Sequence, residues 1–322
     1  MLKLICYNVD ILNKLKGVYI MELAKVNGNT YFINTATNVG VYAFKDKYCL
    51  LVDTGINNSQ SKKIDDVLKG NNLRVKYIIN THSHMDHCGG NLYFQNNYPG
   101  SIVYSSKGEK IYIENPELKE TILFSSKPIK DLDAVNKSFI VDYILDDGVN
   151  KIDNEKFEII PLKGHSVDQI GIITGDRVCF LGDGIFSESI MNKYSLPYLF
   201  DIGESIKTLE FIKNIDADYF IPGHAERVLN KEETIALADK NMENIAESSK
   251  QIVELLEQPL TREELLENLI IINDLPLRFK QYFIYLSSIS AFLTYLRGKD
   301  IIESSLENGK LYFYRNPAKQ VQ

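Results

Sequence analysis

Five histidines occur in the 322 residues, and each stands in a segment where a side chain could bind a metal ion. Three fall within six residues, in Thr81-His82-Ser83-His84-Met85-Asp86-His87-Cys88-Gly89-Gly90. The other two follow glycines, in Lys163-Gly164-His165-Ser166 and Ile221-Pro222-Gly223-His224. A further acid, Asp183, lies between two glycines after an apolar run, in Phe180-Leu181-Gly182-Asp183-Gly184. Neutral imidazole suits zinc- and iron-type ions, and carboxylates extend a site toward harder metals. In a loop, the tight spacing can aim His82 and His84 into one pocket and Asp86 and His87 into an adjacent one. A metalloenzyme is the expectation.

The elements that must position these residues follow from the apolar pattern. Residues 31–34, 38–44 and 48–53 read as short strands, the last two joined by the turn Lys45-Asp46-Lys47. A polar helix is expected over 59–69, stopped by Gly70, and a buried strand over 75–80 runs into the histidine cluster. Residues 101–104 and 107–114 read as a strand and a helix. Residues 115–150 are polar and irregular, and read as an insertion near the site. Strands are expected again at 157–162, 170–174, 178–182 and 218–221, with a helix at about 203–214. Strands and helices alternate, and the histidines sit where strands end, the α/β layout in which sites gather at strand termini.

After residue 225 the chain turns helical. Asn230 with Glu233 and Thr261 with Glu264 read as capping boxes. Ile235, Ala238, Met242, Ile245, Ile252 and Leu256 keep a 3–4 spacing, which fits a long helix packed on its own domain ahead of a dimerising coiled coil. A further helix over about 279–297 places Phe279, Phe283, Leu286, Leu293 and Leu296 on one face, and Gly298 stops it. Asn308-Gly309 between two apolar runs predicts a hairpin. Helices followed by a hairpin point to a small winged-helix-like module over about 250–315.

Composition sets outer bounds. At 44% hydrophobic and 25% charged the chain can build an ordinary core. The net charge of −7 argues against broad nucleic-acid or membrane binding. No stretch approaches the ~18 apolar residues of a membrane span, and the start lacks a secretory apolar region, so a cytoplasmic location is expected. Four scattered cysteines without a CxxC pair read as reduced thiols; Cys88, beside His87, is the one with an alternative as a redox-sensitive or ligand thiol.

Together, His-x-His-x-Asp-His, Gly-His, Gly-Asp and a final Gly-His, in that order over about residues 22–226, resemble the ordered motifs of the metallo-β-lactamase-fold hydrolase superfamily. The resemblance implies an α/β (α+β) fold: an αββα sandwich over residues 22–228, preceded by an N-terminal extension over 1–21 and followed by the helical, winged-helix-like domain over 229–322. It implies two divalent ions, zinc ahead of iron or manganese. His82, His84 and His165 would hold the first, Asp86, His87 and His224 the second, and Asp183 would bridge them. Asp53, in Leu51-Val52-Asp53-Thr54-Gly55, matches an acid that supports the ligands from behind, and Thr81 would help orient the ligand loop. Two metals ~3.5–4 Å apart can share a water and lower its pKa toward neutrality. The bridging hydroxide would attack a carbonyl or phosphoryl centre, with Asp86 taking or relaying a proton.

Aspartate rather than cysteine at position 183 points away from the cysteine-ligated lactamases. Thr81 to Asn91 is similar to the glyoxalase II form of the motif, although the tail shows no clear basic cluster for glutathione. Only 41 positions separate Asp183 from His224, which leaves no room for a large inserted nuclease domain. The reading is a hydrolase of a small ester, thioester or lactone; the alternative is a metal-dependent endoribonuclease or phosphodiesterase. Acids and bases nearly balance over 250–322, so the tail reads as a structural or dimerising cap ahead of a nucleic-acid reader. The aromatic segment 192–201 reads as a pocket wall or as packing between domains.

Overall fold

The computed structural model describes residues 21–127 and 139–318. All but Met21 of the expected extension over 1–21, with Cys6, and part of the 115–150 segment lie outside the described residues.

The chain runs β1 (Leu23–Asn27), β2 (Thr30–Ile33), β3 (Val39–Ala43), β4 (Tyr48–Val52), α1 (Asn58–Gly70), β5 (Arg74–Ile79), α2 (Met85–Cys88), α3 (Asn91–Asn97), β6 (Ile102–Ser105), α4 (Lys107–Glu114) and α5 (Glu117–Phe124). It continues through β7 (Tyr143–Ile144), β8 (Gly148–Ile152), β9 (Glu155–Pro161), β10 (Ile170–Thr174), β11 (Val178–Gly182), α6 (Glu188–Lys193), α7 (Ile202–Ile212) and β12 (Tyr219–Pro222). The tail holds α8 (Lys231–Leu255), α9 (Arg262–Asn273), α10 (Phe279–Gly298), β13 (Ile302–Glu307) and β14 (Lys310–Arg315).

Strands β1 to β7 form one sheet in chain order, β8 to β12 a second, and β13 with β14 a separate hairpin. Period-two alternation in the central strands explains the layering. In β4, Leu50 and Val52 face inward with Phe157, Ile159, Ile172 and Phe180 of the second sheet. Cys49 and Leu51 face the other way, onto Ile64 and Leu68 of α1 and Phe94 of α3. The outer face of the second sheet, with Cys179, Leu181 and Phe220, meets Leu209 and Ile212 of α7 and Ala238 and Ile245 of α8. The order is therefore helix, sheet, sheet, helix: an αββα sandwich, with sequential sheets each buried on both sides.

Three expectations need amendment. The first sheet has an edge strand, β1, ahead of the three expected, paired antiparallel to β2. Within 115–150 lie a helix and two strands, α5, β7 and β8, and β8 pairs with β9 as part of the second sheet. In α10 the buried face is Tyr285, Ser288, Ile289, Phe292, Leu293 and Leu296, whereas Phe279 is 60% exposed. The apolar face of α8 is covered by its own chain, through Leu237, Ala238, Ile245 and Ile252. No described helix is long and apolar enough to cross a membrane.

Candidate metal centre

Parallel pairing collects the site at one edge of the sandwich. β4 and β5 run parallel, with Val52 opposite Ile79, so Asp53 and the loop after Asn80 emerge side by side. β11 and β12 run parallel in the other sheet, with Gly182 opposite Pro222, so Asp183 and His224 emerge together. The loop between antiparallel β9 and β10 returns to the same edge with His165. There the Ile170 amide donates to the Thr81 carbonyl at 3.0 Å and stitches the two sheets together. Asn38, at the start of β3, donates its side-chain amide to the carbonyls of Pro222 and Ala225 and so pins the His224 turn.

All seven expected ligand residues converge. His82, His84 and His165 form one group whose ligand atoms lie within 4.8 Å of one another; Asp86, His87 and His224 form another, and His82, His87 and Asp183 a third that overlaps both. His84 Nδ1 lies 3.0 Å from His82 Nε2 and 2.8 Å from His165 Nε2. Asp183 sits between the groups. Its Oδ2 is 3.4 Å from His165 Nε2 and 3.3 Å from His224 Nε2, while its Oδ1 is 3.3 Å from His87 Nε2. Asp86 Oδ2 is 3.2 Å from His224 Nε2 and 3.6 Å from His87 Nε2.

Hydrogen bonds behind the ligands fix which nitrogen points inward. Asp53 accepts from the Thr81 amide at 2.9 Å, from the Thr81 hydroxyl at 2.8 Å and from His87 Nδ1 at 2.7 Å. With its proton given to Asp53, the Thr81 hydroxyl is left to accept from His82 Nδ1 at 3.0 Å. His165 Nδ1 donates to the Tyr198 carbonyl at 3.0 Å, and His224 Nδ1 to the Ala36 carbonyl at 2.7 Å. Four imidazoles thus present Nε2 to the centre, and such outer partners also raise ligand basicity. Asp53 adopts φ 64, a left-handed conformation that aspartate tolerates, and this turns its carboxylate back under the ligand loop. Gly223 is required by space: a Cβ there would stand 2.4 Å from Asp183 Oδ1 and 2.9 Å from His87 Cε1.

The electrostatics fit a bound cation. Burial, followed by repulsion among the imidazoles, pushes the pKa of His82 well below the ordinary value, and burial followed by the neighbouring His165 does the same to His84. Burial likewise lowers His165. All three shifts favour the neutral imidazole, and the three ring nitrogens meet at 2.8–3.0 Å, where they could share one cation. At His87 burial opposes charging, yet Asp183, Asp53 and Asp86 outweigh it and raise the pKa. At His224 the same contest, settled mainly by Asp183, lifts the pKa to about 10. Burial would raise Asp183, but His224 and His87 hold it well below the usual carboxylate range. His87 Nε2 and Asp183 Oδ1 are buried, face each other at 3.3 Å and make no hydrogen bond, so both remain available as ligand atoms for an ion at the centre. The donor set of five imidazoles and two carboxylates can hold divalent ions of the zinc, iron or manganese type.

The surroundings bear on two open sequence readings. Segment 192–201 reaches the site: the Tyr198 ring lies 5.6 Å from His84 and 5.7 Å from His165, although Leu196 and Leu199 pack into the core. Cys88 is buried, donates to the Ser83 carbonyl at 3.2 Å, and has its thiol pushed up to about 11 by burial, so it behaves as a packed thiol. Two site neighbours escaped the sequence reading. Lys119 of α5 donates to the Ser83 carbonyl beside His84. Glu109 of α4, fully buried, binds both ligand loops. Ser106-Lys107-Gly108-Glu109 has the capping-box pattern, a signal that hides Glu109 as an ordinary helix start.

Comparison with known proteins gives a consistent picture. The model of the metallo-beta-lactamase superfamily matches residues 33–224, more than half of the chain. The hydroxyacylglutathione hydrolase of Prochlorococcus marinus (strain MIT 9312) is 30% identical over 146 residues, 44% of this chain and 48% of its own length. The beta-lactamase-like protein 2 homolog of Caenorhabditis elegans is 25% identical over 234 residues, 71% of this chain and 65% of its own length. Hydroxyacylglutathione hydrolase 1 of Vibrio vulnificus (strain YJ016) is 26% identical over 221 residues, 68% of this chain and 75% of its own. The match thus spans about half of the first relative and just under two thirds of the second. Among solved structures, a metallo-beta-lactamase family protein from Thermus thermophilus superposes with a TM-score of 0.68 at 17% identity, over 94% of this chain and 100% of that one. The chain belongs to the metallo-beta-lactamase superfamily.

Proposed function

We propose that the chain is a two-metal hydrolase, with zinc the expected ion, that cleaves a small ester, thioester or lactone. One observation carries the reading: the buried Asp183 carboxylate turns one oxygen toward His165 and His224 and the other toward His87, between two groups of imidazoles. Divalent ions bound there would supply an acidified water and a Lewis acid for the scissile carbonyl. Asp183 would hold the two groups in register. Asp86, whose side chain is one-third exposed and accepts from the Thr37 hydroxyl at 3.2 Å, is the carboxylate placed to take a proton and pass it to solvent. Tyr198 would line the apolar part of an acyl group beside His84 and His165. The names of the hydroxyacylglutathione hydrolases among the relatives support a thioester first. The catalytic part is assigned to residues 22–228 and the tail over 229–322 to covering the second sheet.

Two measurements test this. Elemental analysis of zinc-supplied, chelator-free protein should find two ions per chain, with one or both lost in His84→Ala and Asp183→Ala. A panel of thioesters, lactones, phosphodiesters and single-stranded RNA should show thioester or lactone turnover that tracks metal content. Turnover should fall in both variants beyond the ~10–100-fold typical of losing an outer hydrogen-bond partner. RNA cleavage that disappears in the same variants, with no acyl hydrolysis, would reverse the assignment toward a nuclease.

A further inference from the structure

The two loops that carry His82, His84 and His165 are tied to one buried carboxylate. Glu109 stands one turn into α4 and is fully buried. Its Oε2 accepts from the Ser83 amide, between His82 and His84, at 2.9 Å. Its Oε1 accepts from the Ser166 hydroxyl at 2.6 Å and from the Asp168 amide at 2.9 Å, just beyond His165. The same helix start grips the second loop again. The Ser106 hydroxyl donates to the Asp168 carbonyl at 2.7 Å, and the Gly108 amide to Asp168 Oδ2 at 2.8 Å. Because His82 follows a strand of the first sheet and His165 a strand of the second, no strand ladder joins the two loops, and the Ile170–Thr81 backbone bond is the main-chain tie beside these carboxylate contacts.

We propose that Glu109 is a positioning residue for the three-histidine group alone, and so sets the affinity of one metal position independently of the other. The proposal rests on the two-metal reading above. Its selectivity follows from the partners. Every residue that the Glu109 carboxylate binds adjoins or closely follows His82, His84 or His165, whereas His87 is held by Asp53 and His224 by the Ala36 carbonyl. A carboxylate is needed for reach and for acceptor count. It accepts three hydrogen bonds through two oxygens, whereas a glutamine offers one acceptor oxygen and sets an NH₂ against one of the donors.

The test is stepwise zinc binding to the full chain by competition with a chromophoric chelator, in wild type, Glu109→Gln and Ser166→Ala, with imidazole nitrogen spectra of each loaded protein. In Glu109→Gln one of the two binding steps should weaken by ~10–100-fold, the range for outer partners of a ligand, while the other stays within about threefold. The imidazole signals that shift should be those of His82, His84 and His165, not those of His87 and His224. Ser166→Ala removes a single bond and should give the same split at smaller amplitude; it decides the matter if Glu109→Gln does not fold. Equal weakening of both steps, or no weakening in a variant with the wild-type melting temperature, overturns the proposal. Wild-type protein that takes up no zinc refutes the metal reading itself. Normal two-ion uptake with unchanged variants refutes only the role of Glu109.

Discussion

His84 differs from the other four histidines in the nitrogen it turns inward. Its Nδ1 faces His82 and His165, while the other four are fixed through Nδ1 to Thr81, Asp53, Tyr198 and Ala36. In zinc-loaded protein, long-range proton–nitrogen spectra should therefore show four imidazoles protonated on Nδ1 and one on Nε2, the odd one vanishing in His84→Ala; five of one kind would contradict the geometry. The metal-free site has its own proton balance. His224, with its pKa near 10, holds a proton across the neutral range, and that proton must leave before Nε2 can bind an ion. Zinc uptake should release protons, from His87 as well as His224, and affinity should rise with pH through the neutral range. Calorimetry in two buffers of different ionisation enthalpy reads the released protons, and zero release at pH 7.5 would count against the assignment. The seven candidate ligands were legible because their residue types carry the chemistry and they stand in loops that follow strands. Glu109 and Lys119 were not, because their roles exist only once α4 and α5 lie against loops distant in sequence.

At the scale of elements, local signals held where the backbone alone decides. Both expected capping boxes form, at Asn230 with Glu233 and at Thr261 with Glu264, and Asn308 and Gly309 take positive φ in the tail hairpin. Thr261→Ala should cost about 1 kcal/mol, measured by denaturant titration, because it leaves a helix-start amide without its side-chain acceptor. The failures lie where tertiary packing chooses between faces. α10 is apolar almost all round, so periodicity could not tell which side is covered; Phe279 is left exposed, and Phe283 meets Phe124 of α5 at 4.5 Å between ring centroids. β1 gives little signal because Leu23-Ala24-Lys25-Val26-Asn27 does not alternate apolar with polar, and as an edge strand it has no fully buried residue. At the end of β12, Gly223→Ala should leave the fold intact by circular dichroism yet lower metal affinity at least about tenfold, since the added methyl collides with Asp183 and His87. Unchanged zinc content and affinity would show that the turn relaxes without disturbing the ligands.

For the whole molecule, the cluster on the outer face of the second sheet is the dominant fact. It runs without a break from Cys179, Leu181 and Phe220 through Leu209 and Ala238 to Leu266, Tyr285, Phe292 and Ile302. Further ties join the tail to the segment beside the site, through Lys280 to Glu120 at 2.8 Å and through Phe283 to Phe124. Phe292→Ala, at a position 2% exposed, should cost about 3–5 kcal/mol. The loss should appear in one cooperative transition that includes the metal-binding layers; two separated transitions in calorimetry would show that the tail unfolds by itself. The order of helices and final hairpin was readable from the sequence, but this continuity was not, since the same apolar spacing serves a free-standing module equally well.

That shared cluster also bears on how such a protein can diverge. An appendage on a flexible linker can be exchanged between relatives as a cassette. Here the underside of the tail completes, with α7, the cover of the second sheet, so a transplanted tail must bring a surface complementary to Cys179, Leu181, Phe220 and the α7 residues Leu209 and Ile212, or leave part of that face in water. Recombination at residue 228 should therefore yield soluble chimeras only between parents whose β11 and β12 already match.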